Sequence, residues 1–321
     1  MPDPRPLTLR AHGLVARILP MGATLQELRL EGHAPPLQLG LADPGHYPAQ
    51  ADYMGATVGR CANRISGARF ELDGWTYRLE PNEGDAVLHG GPRGTAHRIW
   101  DVARSAPDAA TLTLRLGDGE TGFPGTMDVV ATISLGPGAC LRIDYAATTD
   151  APTPCNLAHH TYWCLDDTGG LDAHVLTVAA DRYTPVDGDV IPTGVAPVDG
   201  TRFDFRDGRA VLGPGGLDHN LCLSDARTAL REVAALHSSA SGVTMRMATT
   251  EPGLQVYDGA KLDVAVPGLG GRRYGPNSGV ALEAQAWPDA PSRPGFPSVI
   301  LRPGETYRQT TTFTFSSASV D

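Results

Sequence analysis

The sequence predicts an all-β protein, with residues 1–321 forming one domain folded as a large and mainly antiparallel β-sandwich. Three observations lead to this class. The chain carries 38 glycines and 27 prolines, well above average use, and so many helix breakers exclude a helical bundle or a coiled coil. Apolar and polar residues alternate over short segments, which is typical of half-buried strands. Strands do not alternate with helical segments, as they would in an α/β fold.

The predicted strands follow one another along the chain, each ended by a turn sequence. Asp73-Gly74 separates two of them and predicts a hairpin with a type I′ turn, because both of its central positions need positive φ. Residues 226–236 suit either a helix or a strand with a loop, and residues 267–276 predict a long surface loop. The strands are expected around residues 14–18, 70–72, 75–79, 112–116, 129–135, 141–145, 175–178, 243–247 and 310–315.

The net charge and the cysteine content limit the kinds of partner and the cellular compartment that we expect for this protein. The formal net charge is −10, so the chain lacks the basic excess that nucleic-acid binding or an anionic membrane surface would need. No apolar run is long enough to span a bilayer, and the first residues do not resemble a signal peptide. The cysteines are odd in number, widely spaced and without a C-x-x-C pair, which predicts reduced thiols in a cytoplasmic protein: Cys61, Cys140, Cys155, Cys164 and Cys222.

The common cofactor and nucleophile motifs do not occur. There is no G-x-S-x-G, no P-loop and no H-E-x-x-H, and Gly268-x-Gly270 lacks the third glycine of a dinucleotide-binding fingerprint. His159 and His160 are adjacent, so on a strand they point to opposite faces and make poor ligands for one ion. We therefore expect neither a cofactor nor a catalytic metal.

Polar and ionisable residues instead interrupt strand-like segments at separated points. Taken alone, most have an ordinary structural explanation: a surface ion pair, a turn residue or a satisfied core histidine. Glu283 is the most telling, because it follows the apolar run 280–282 and a carboxylate there is costly unless it is paired or functional. The positions are Asn63, Arg64, His89, His160, Asp218 and Glu283.

In this order, and together with their neighbours, these segments resemble the aldose 1-epimerase (galactose mutarotase) family from about Gly22 to Phe315. One such motif would be weak evidence, whereas the ordered set is specific. The matching segments include Gly55-Ala56-Thr57-Val58-Gly59-Arg60, Asn63-Arg64-Ile65, Leu88-His89-Gly90-Gly91, Gly122-Phe123-Pro124-Gly125, Asn156-Leu157, His160 with Tyr162, Asp218-His219-Asn220, Glu251-Pro252-Gly253 with Gln255, Glu283 with Gln285, Pro288-Asp289-Ala290 and Leu301-Arg302-Pro303-Gly304-Glu305.

The resemblance implies a β-supersandwich and the interconversion of the α and β anomers of a free aldose, without metal or cofactor. It assigns the catalytic base to Glu283 and the catalytic acid to His160. The chain departs from the family pattern at Ala158-His159 and at Cys164, which bears on sugar preference rather than on the reaction. The implied substrate-binding residues are Asn63, Arg64, His89, Tyr162, Asp218 and Gln255.

Two other functions stay open at this point. An epimerase acting on a hexose 6-phosphate would need a cluster of arginines near the site, and Arg64 is the only clear candidate. A sugar-binding module without catalysis would have no need for both Glu283 and His160. We therefore expect a free aldohexose or aldopentose, such as galactose, glucose, arabinose or xylose, as the substrate. The oligomeric state is left open.

Overall fold

In the computed structural model, which describes residues 5–49 and 52–317, the largest element is an antiparallel sheet of nine strands. Its longer central strands alternate between core and outside; Met127–Gly136, for example, buries every second side chain. This alternation is the pattern that made these strands predictable from the sequence. In spatial order the strands are Arg209–Ala210, His174–Val178, Arg231–Ser238, Val243–Thr249, Tyr307–Ser317, Cys140–Thr149, Met127–Gly136, Ala109–Leu116 and Asp101–Ser105.

A second antiparallel sheet has six shorter strands. In spatial order they are Tyr162–Trp163, Val280–Gln285, Gly253–Tyr257, Asp218–Cys222, Arg182–Tyr183 and Ala196–Pro197. Smaller sheets surround the two large ones: Leu7–Ala11 with Leu14–Leu19 and Thr24–Leu30, Thr57–Val58 with Ala158–His159, Arg64–Ile65 with Val87–Leu88, Arg69–Leu72 with Trp75–Arg78, and Thr153–Pro154 with Ile300–Leu301.

Helical structure in the described residues is limited to short 3₁₀ segments. None of them is long and apolar enough to cross a membrane. They are Pro44–Ala49, Ser66–Ala68, Thr95–His97, Glu120–Gly122, Leu269–Gly271 and Ala290–Ser292.

The main core lies between the two large sheets. Val129 and Ile143 of the nine-stranded sheet belong to the same buried apolar cluster as Leu254 and Leu282 of the six-stranded sheet. Across this layer the ring of Trp163 contacts that of Phe313, with centroids 4.7 Å apart. The predicted all-β sandwich is confirmed.

The predicted local elements also agree with the structure. Every predicted strand segment is extended, and Arg69–Leu72 pairs with Trp75–Arg78 through Asp73 and Gly74, both with positive φ. The ambiguous residues 226–236 prove to be a loop followed by the strand Arg231–Ser238. The loop at 267–276 is tied to the protein by the buried side chain of Tyr274.

The six-stranded sheet has two buried faces with different chemistry. Leu254 and Leu282 point into the main core. Because side chains alternate along a strand, the residues next to them point the other way. The register places Gln255 directly opposite Glu283, and Tyr162 opposite Ala281. The polar residues of three separate segments thus share the outer face of this sheet.

Candidate active site

The outer face of the six-stranded sheet forms one wall of a cavity of about 140 Å³. Glu283 lies in the middle of Val280–Gln285, a strand in which all six residues are buried. Asp218 begins the strand Asp218–Cys222, which Gly253–Tyr257 separates from the strand of Glu283, and its side chain remains partly exposed. Tyr162 completes this wall from the edge strand.

The opposite wall comes from two turns with unusual backbone. Asn63 and His89 both have positive φ, 61° and 53°, although neither is glycine. They stabilise each other: the His89 N–H donates to the Asn63 carbonyl oxygen, and the Asn63 N–H donates to His89 Nδ1, both at 3.1 Å. Since Nδ1 accepts this bond, the proton of neutral His89 is on Nε2, which makes that atom a hydrogen-bond donor.

His160 lies between these walls, in the link that joins two short strands. Its N–H donates to the Ala56 carbonyl oxygen at 2.9 Å, and its carbonyl oxygen accepts from the Gly55 N–H at 2.8 Å. The imidazole of His89 meets that of His160 edge-on, with centroids 5.1 Å apart. The backbone of His160 is therefore held by the 55–56 segment, and its ring by aromatic neighbours.

Seven of the eight residues predicted for the site line the cavity: Asn63, Arg64, His89, His160, Tyr162, Asp218 and Glu283. The eighth, Gln255, is not one of the lining residues. It is 2% exposed, and its amide nitrogen donates to the Asp218 carboxylate at 2.6 Å. Gln255 is thus placed to orient Asp218.

Glu283 and His160 are the two residues of the cavity that are best placed to exchange protons with a ligand. Glu283 Oε1 lies 3.5 Å from His160 Nε2, and both side chains are buried. Burial, followed by the nearby charge of Asp218, raises the pKa of Glu283 to about 8. Burial lowers the pKa of His160 to about 4. Glu283 Oε2 and His160 Nδ1 have no hydrogen-bond partner among the described residues.

Arg64 is the main fixed charge of the cavity. Glu83 binds it through two bonds, Nε to Oε2 at 2.6 Å and Nη2 to Oε1 at 3.0 Å. Its Nη1 lies 3.7 Å from Asp218 Oδ2. Burial is the largest single influence on the pKa of Arg64 and lowers it, but the hydrogen bonds that Arg64 donates to Glu83 and the charges of Asp218, Glu83 and Glu283 together outweigh burial and raise this pKa. Arg64 remains cationic and lowers the pKa of Glu283, against the effect of burial.

Sequence reasoning missed several residues that line the cavity. Tyr53 packs its ring against His89, with centroids 4.7 Å apart, and against His160, at 6.0 Å. Glu83 and Lys261 come from loops that show no pattern in the sequence. Only the tertiary structure brings these side chains to the cavity, so no local signal could have identified them.

Two clusters of buried side chains contain atoms that could ligate a metal ion. His89, His160 and Glu283 lie close together, but His89 Nδ1 accepts a backbone hydrogen bond and Nε2 then carries the proton, so neutral His89 has no free lone pair for a metal. The second cluster includes Cys164 and His174. Its histidine likewise accepts the Leu165 N–H through Nε2, which puts the proton on Nδ1.

The departures from the family pattern lie outside the cavity. Cys164 is buried beside the carbonyl oxygens of Asp166 and Gly170, and burial raises its pKa to about 11. His159 hydrogen-bonds to Thr161 at 2.7 Å and does not line the cavity. Neither residue is placed to touch a ligand there.

Comparison with known proteins identifies the family of this chain. The sequence profile of the family described as aldose 1-epimerase matches residues 5–314. The chain belongs to the aldose 1-epimerase family. It is 40% identical to a galactose mutarotase of Rattus norvegicus over 97% of this chain and 93% of that protein. It is 35% identical to an aldose 1-epimerase of Escherichia coli, over 98% and 96% of the two chains.

Solved structures agree with the fold of this epimerase. An aldose epimerase homologue from C. elegans superimposes with a TM-score of 0.93 at 32% sequence identity, covering 98% of this chain and 99% of that one. The sequence-based predictions of the family, of the fold class and of an epimerase acting on carbohydrates are therefore confirmed.

Proposed function

We propose that this aldose 1-epimerase interconverts sugar anomers by general acid–base catalysis, with Glu283 as the base and His160 as the acid. The observation that carries the proposal is the buried contact between the two groups, 3.5 Å apart, on the wall of a sugar-sized cavity. Anomerisation needs a proton removed from O1 and another delivered to the ring oxygen, and one carboxylate with one imidazolium can do both.

The reaction proceeds through the open-chain sugar. Glu283 takes the proton from O1 while His160 protonates O5, and the C1–O5 bond breaks to leave an aldehyde at C1. Rotation about the C1–C2 bond presents the other face of that aldehyde to O5. Ring closure then reverses both proton transfers and regenerates the two catalytic groups. No net proton or electron is gained or lost.

The protonation of the pair suits this cycle. With pKa values of about 8 for Glu283 and about 4 for His160, the two groups together hold one proton between these limits. That singly protonated state includes the form with an ionised Glu283 and a protonated His160, which is the form the reaction uses. Arg64 favours this form, because its charge stabilises the Glu283 carboxylate.

The other lining residues hold the sugar hydroxyls. His89 Nε2 and the Arg64 guanidinium supply donors, and the Asp218 carboxylate supplies an acceptor that Gln255 orients. Tyr162 packs beside His160, with ring centroids 5.1 Å apart, and offers its hydroxyl. Selectivity follows because a sugar that lacks a matching hydroxyl leaves these buried groups unpaired.

We propose a neutral aldose as the substrate, with galactose and glucose as the first candidates. Arg64 is already engaged by Glu83 and Asp218, so it is poorly placed to bind a phosphate. Outside the cavity a groove of about 700 Å³ carries the exposed carboxylates Asp85, Asp187 and Asp189. They outnumber Lys261, the lining cation that has no ion pair among the described residues, and so disfavour an anionic substrate. We further propose a cytoplasmic location, which the five free cysteines favour.

Polarimetry tests the proposal. Fresh α-glucose and α-galactose should reach anomeric equilibrium faster with the protein than without it, while glucose 6-phosphate should gain little. If the protein accelerates the mutarotation of glucose 6-phosphate alone, its substrate is a phosphorylated sugar and not a neutral one. Binding of sugar without any acceleration would indicate a sugar-binding module instead of a mutarotase.

A further inference from the structure

Lys261 is the only lysine in the chain; every other residue with a permanent positive charge is an arginine. It follows the strand Gly253–Tyr257, and its backbone N–H donates to the Tyr257 hydroxyl at 2.8 Å. Its exposed side chain lines the sugar cavity together with Glu283 and His160. A cation in this position faces any sugar that the cavity holds.

The charged groups around Lys261 leave its ammonium free. Arg64 is engaged by Glu83 and Asp218. The Lys261 ammonium, in contrast, makes no ion pair or hydrogen bond within the described part of the chain. It lies near enough to Asp218 for its charge to oppose the burial-driven rise of the aspartate pKa. A lysine ammonium has three donors and no acceptor, so Lys261 and Asp218 together offer donors and an acceptor to a hydroxyl.

The position of Lys261 relative to the acid–base pair indicates which part of the sugar it meets. Glu283 and His160 line only the cavity, whereas Lys261 lines both the cavity and the wider groove outside it. In a pyranose ring C4 lies opposite C1. With C1 held at the acid–base pair, C4 is therefore directed toward the outer side, where Lys261 is located.

We propose that Lys261 is a specificity residue that donates a hydrogen bond to the C4 hydroxyl of the sugar. The inference rests on the proposed function, because that function places C1 at Glu283 and His160. Glucose and galactose differ only in the configuration at C4. Lys261 therefore contacts the one hydroxyl by which these two substrates can be told apart.

Protection of Lys261 from acetylation tests whether this residue contacts the sugar, and it does not depend on catalytic activity. The protein is treated with the N-hydroxysuccinimide ester of acetic acid, with and without saturating glucose, and acetylation is followed by mass spectrometry. Because Lys261 is the only lysine, the N-terminal α-amine serves as an internal reference. Glucose should slow acetylation of Lys261 several-fold and leave the α-amine unchanged, while mannitol should slow neither. Equal acetylation rates at Lys261 with and without glucose would overturn the proposal.

Kinetics with deoxy sugars test the assignment to C4. Lys261→Met should lower kcat/KM for glucose about 10- to 100-fold, the usual effect of losing a charged hydrogen bond. The same substitution should hardly affect 4-deoxyglucose, which lacks the partner hydroxyl, and should affect 6-deoxyglucose as much as glucose. Lys261→Arg should recover part of the loss. Arg115→Met, which removes an exposed cation that does not line the cavity, is the matched control and should behave as wild type.

The outcomes separate this inference from the proposed function. If the wild-type protein accelerates mutarotation but Lys261→Met loses equally with glucose and 4-deoxyglucose, the C4 contact is wrong and the epimerase stands. A loss that disappears with 6-deoxyglucose would move the contact to C6. If glucose protects Lys261 while the wild-type protein shows no mutarotase activity, the sugar contact stands and the acid–base proposal fails.

Discussion

The two large sheets show how differently sequence can encode the two parts of one protein. In Met127–Gly136 of the nine-stranded sheet, buried positions alternate with more exposed ones along the whole strand. In Val280–Gln285 of the six-stranded sheet, all six residues are buried. One face of the nine-stranded sheet is exposed to solvent, whereas the six-stranded sheet lies between an apolar core and a polar cavity.

Within the strand Val280–Gln285, residues on one face therefore stabilise the fold, and residues on the other face line the cavity. Leu282 packs in the main core, and the next residue, Glu283, faces the cavity. Both are almost fully buried, so burial alone does not distinguish them. The face of the sheet does, and substitutions on the two faces should therefore fail in different ways.

Glu283→Gln should give the largest effect of any substitution considered. The amide keeps the size of the side chain but cannot accept the O1 proton, so kcat should fall by about 10²- to 10⁴-fold. The free energy of unfolding should stay the same or rise, because burying an ionisable group is costly. Polarimetry and urea denaturation measure the two quantities. A variant with normal kcat and a raised KM would show that Glu283 binds the sugar but is not the catalytic base.

Leu282→Ala should show the opposite behaviour on the core face of the same strand. Removing a buried leucine side chain should lower the free energy of unfolding by about 2–5 kcal/mol. Molecules that remain folded should keep a kcat close to wild type, since Leu282 does not line the cavity. A large fall in kcat with unchanged stability would show that the two faces are not independent.

Glu83→Gln should give a smaller effect, from a loop that belongs to neither sheet. Glu83 holds Arg64 through two charge-assisted hydrogen bonds, and the amide keeps only part of them. A less firmly held Arg64 should raise KM roughly 10-fold, with a smaller change in kcat. Glu80→Gln is the control, because Glu80 forms an exposed ion pair with Arg93 that does not line the cavity. If both variants change KM equally, the effect is one of general charge.

The same contrast explains what the sequence could predict. Strands such as Met127–Gly136 were visible because alternation with period two is a local signal. Their order in the sheet was not predictable, since pairing such as that of Val243–Thr249 with Tyr307–Ser317 joins distant segments. Two-residue strands such as Tyr162–Trp163 are too short for any periodic signal.

For the candidate site, the residues in motifs could be found and those in loops could not. Glu283 interrupts an apolar run and was visible on physical grounds. Asn63 and His89 have ordinary structural explanations when taken alone, and only the resemblance to a family assigned them to the site. Glu83 and Lys261 are charged residues in exposed segments, and such residues usually have no function. Gln255 was predicted to bind substrate, but it does not line the cavity, and its hydrogen bond to Asp218 depends on strand register.

The pH dependence of kcat/KM in wild type and in His160→Asn shows whether Glu283 and His160 share one catalytic proton. The wild-type profile should be bell-shaped, falling below about pH 4, where the pair gains a second proton and has no base, and above about pH 8, where it loses its only proton and has no acid. In His160→Asn the remaining activity should be at least about 10²-fold lower and should rise with pH as Glu283 ionises, without an alkaline fall. A His160→Asn enzyme with near wild-type activity and both limbs of the profile intact would contradict the shared-proton mechanism.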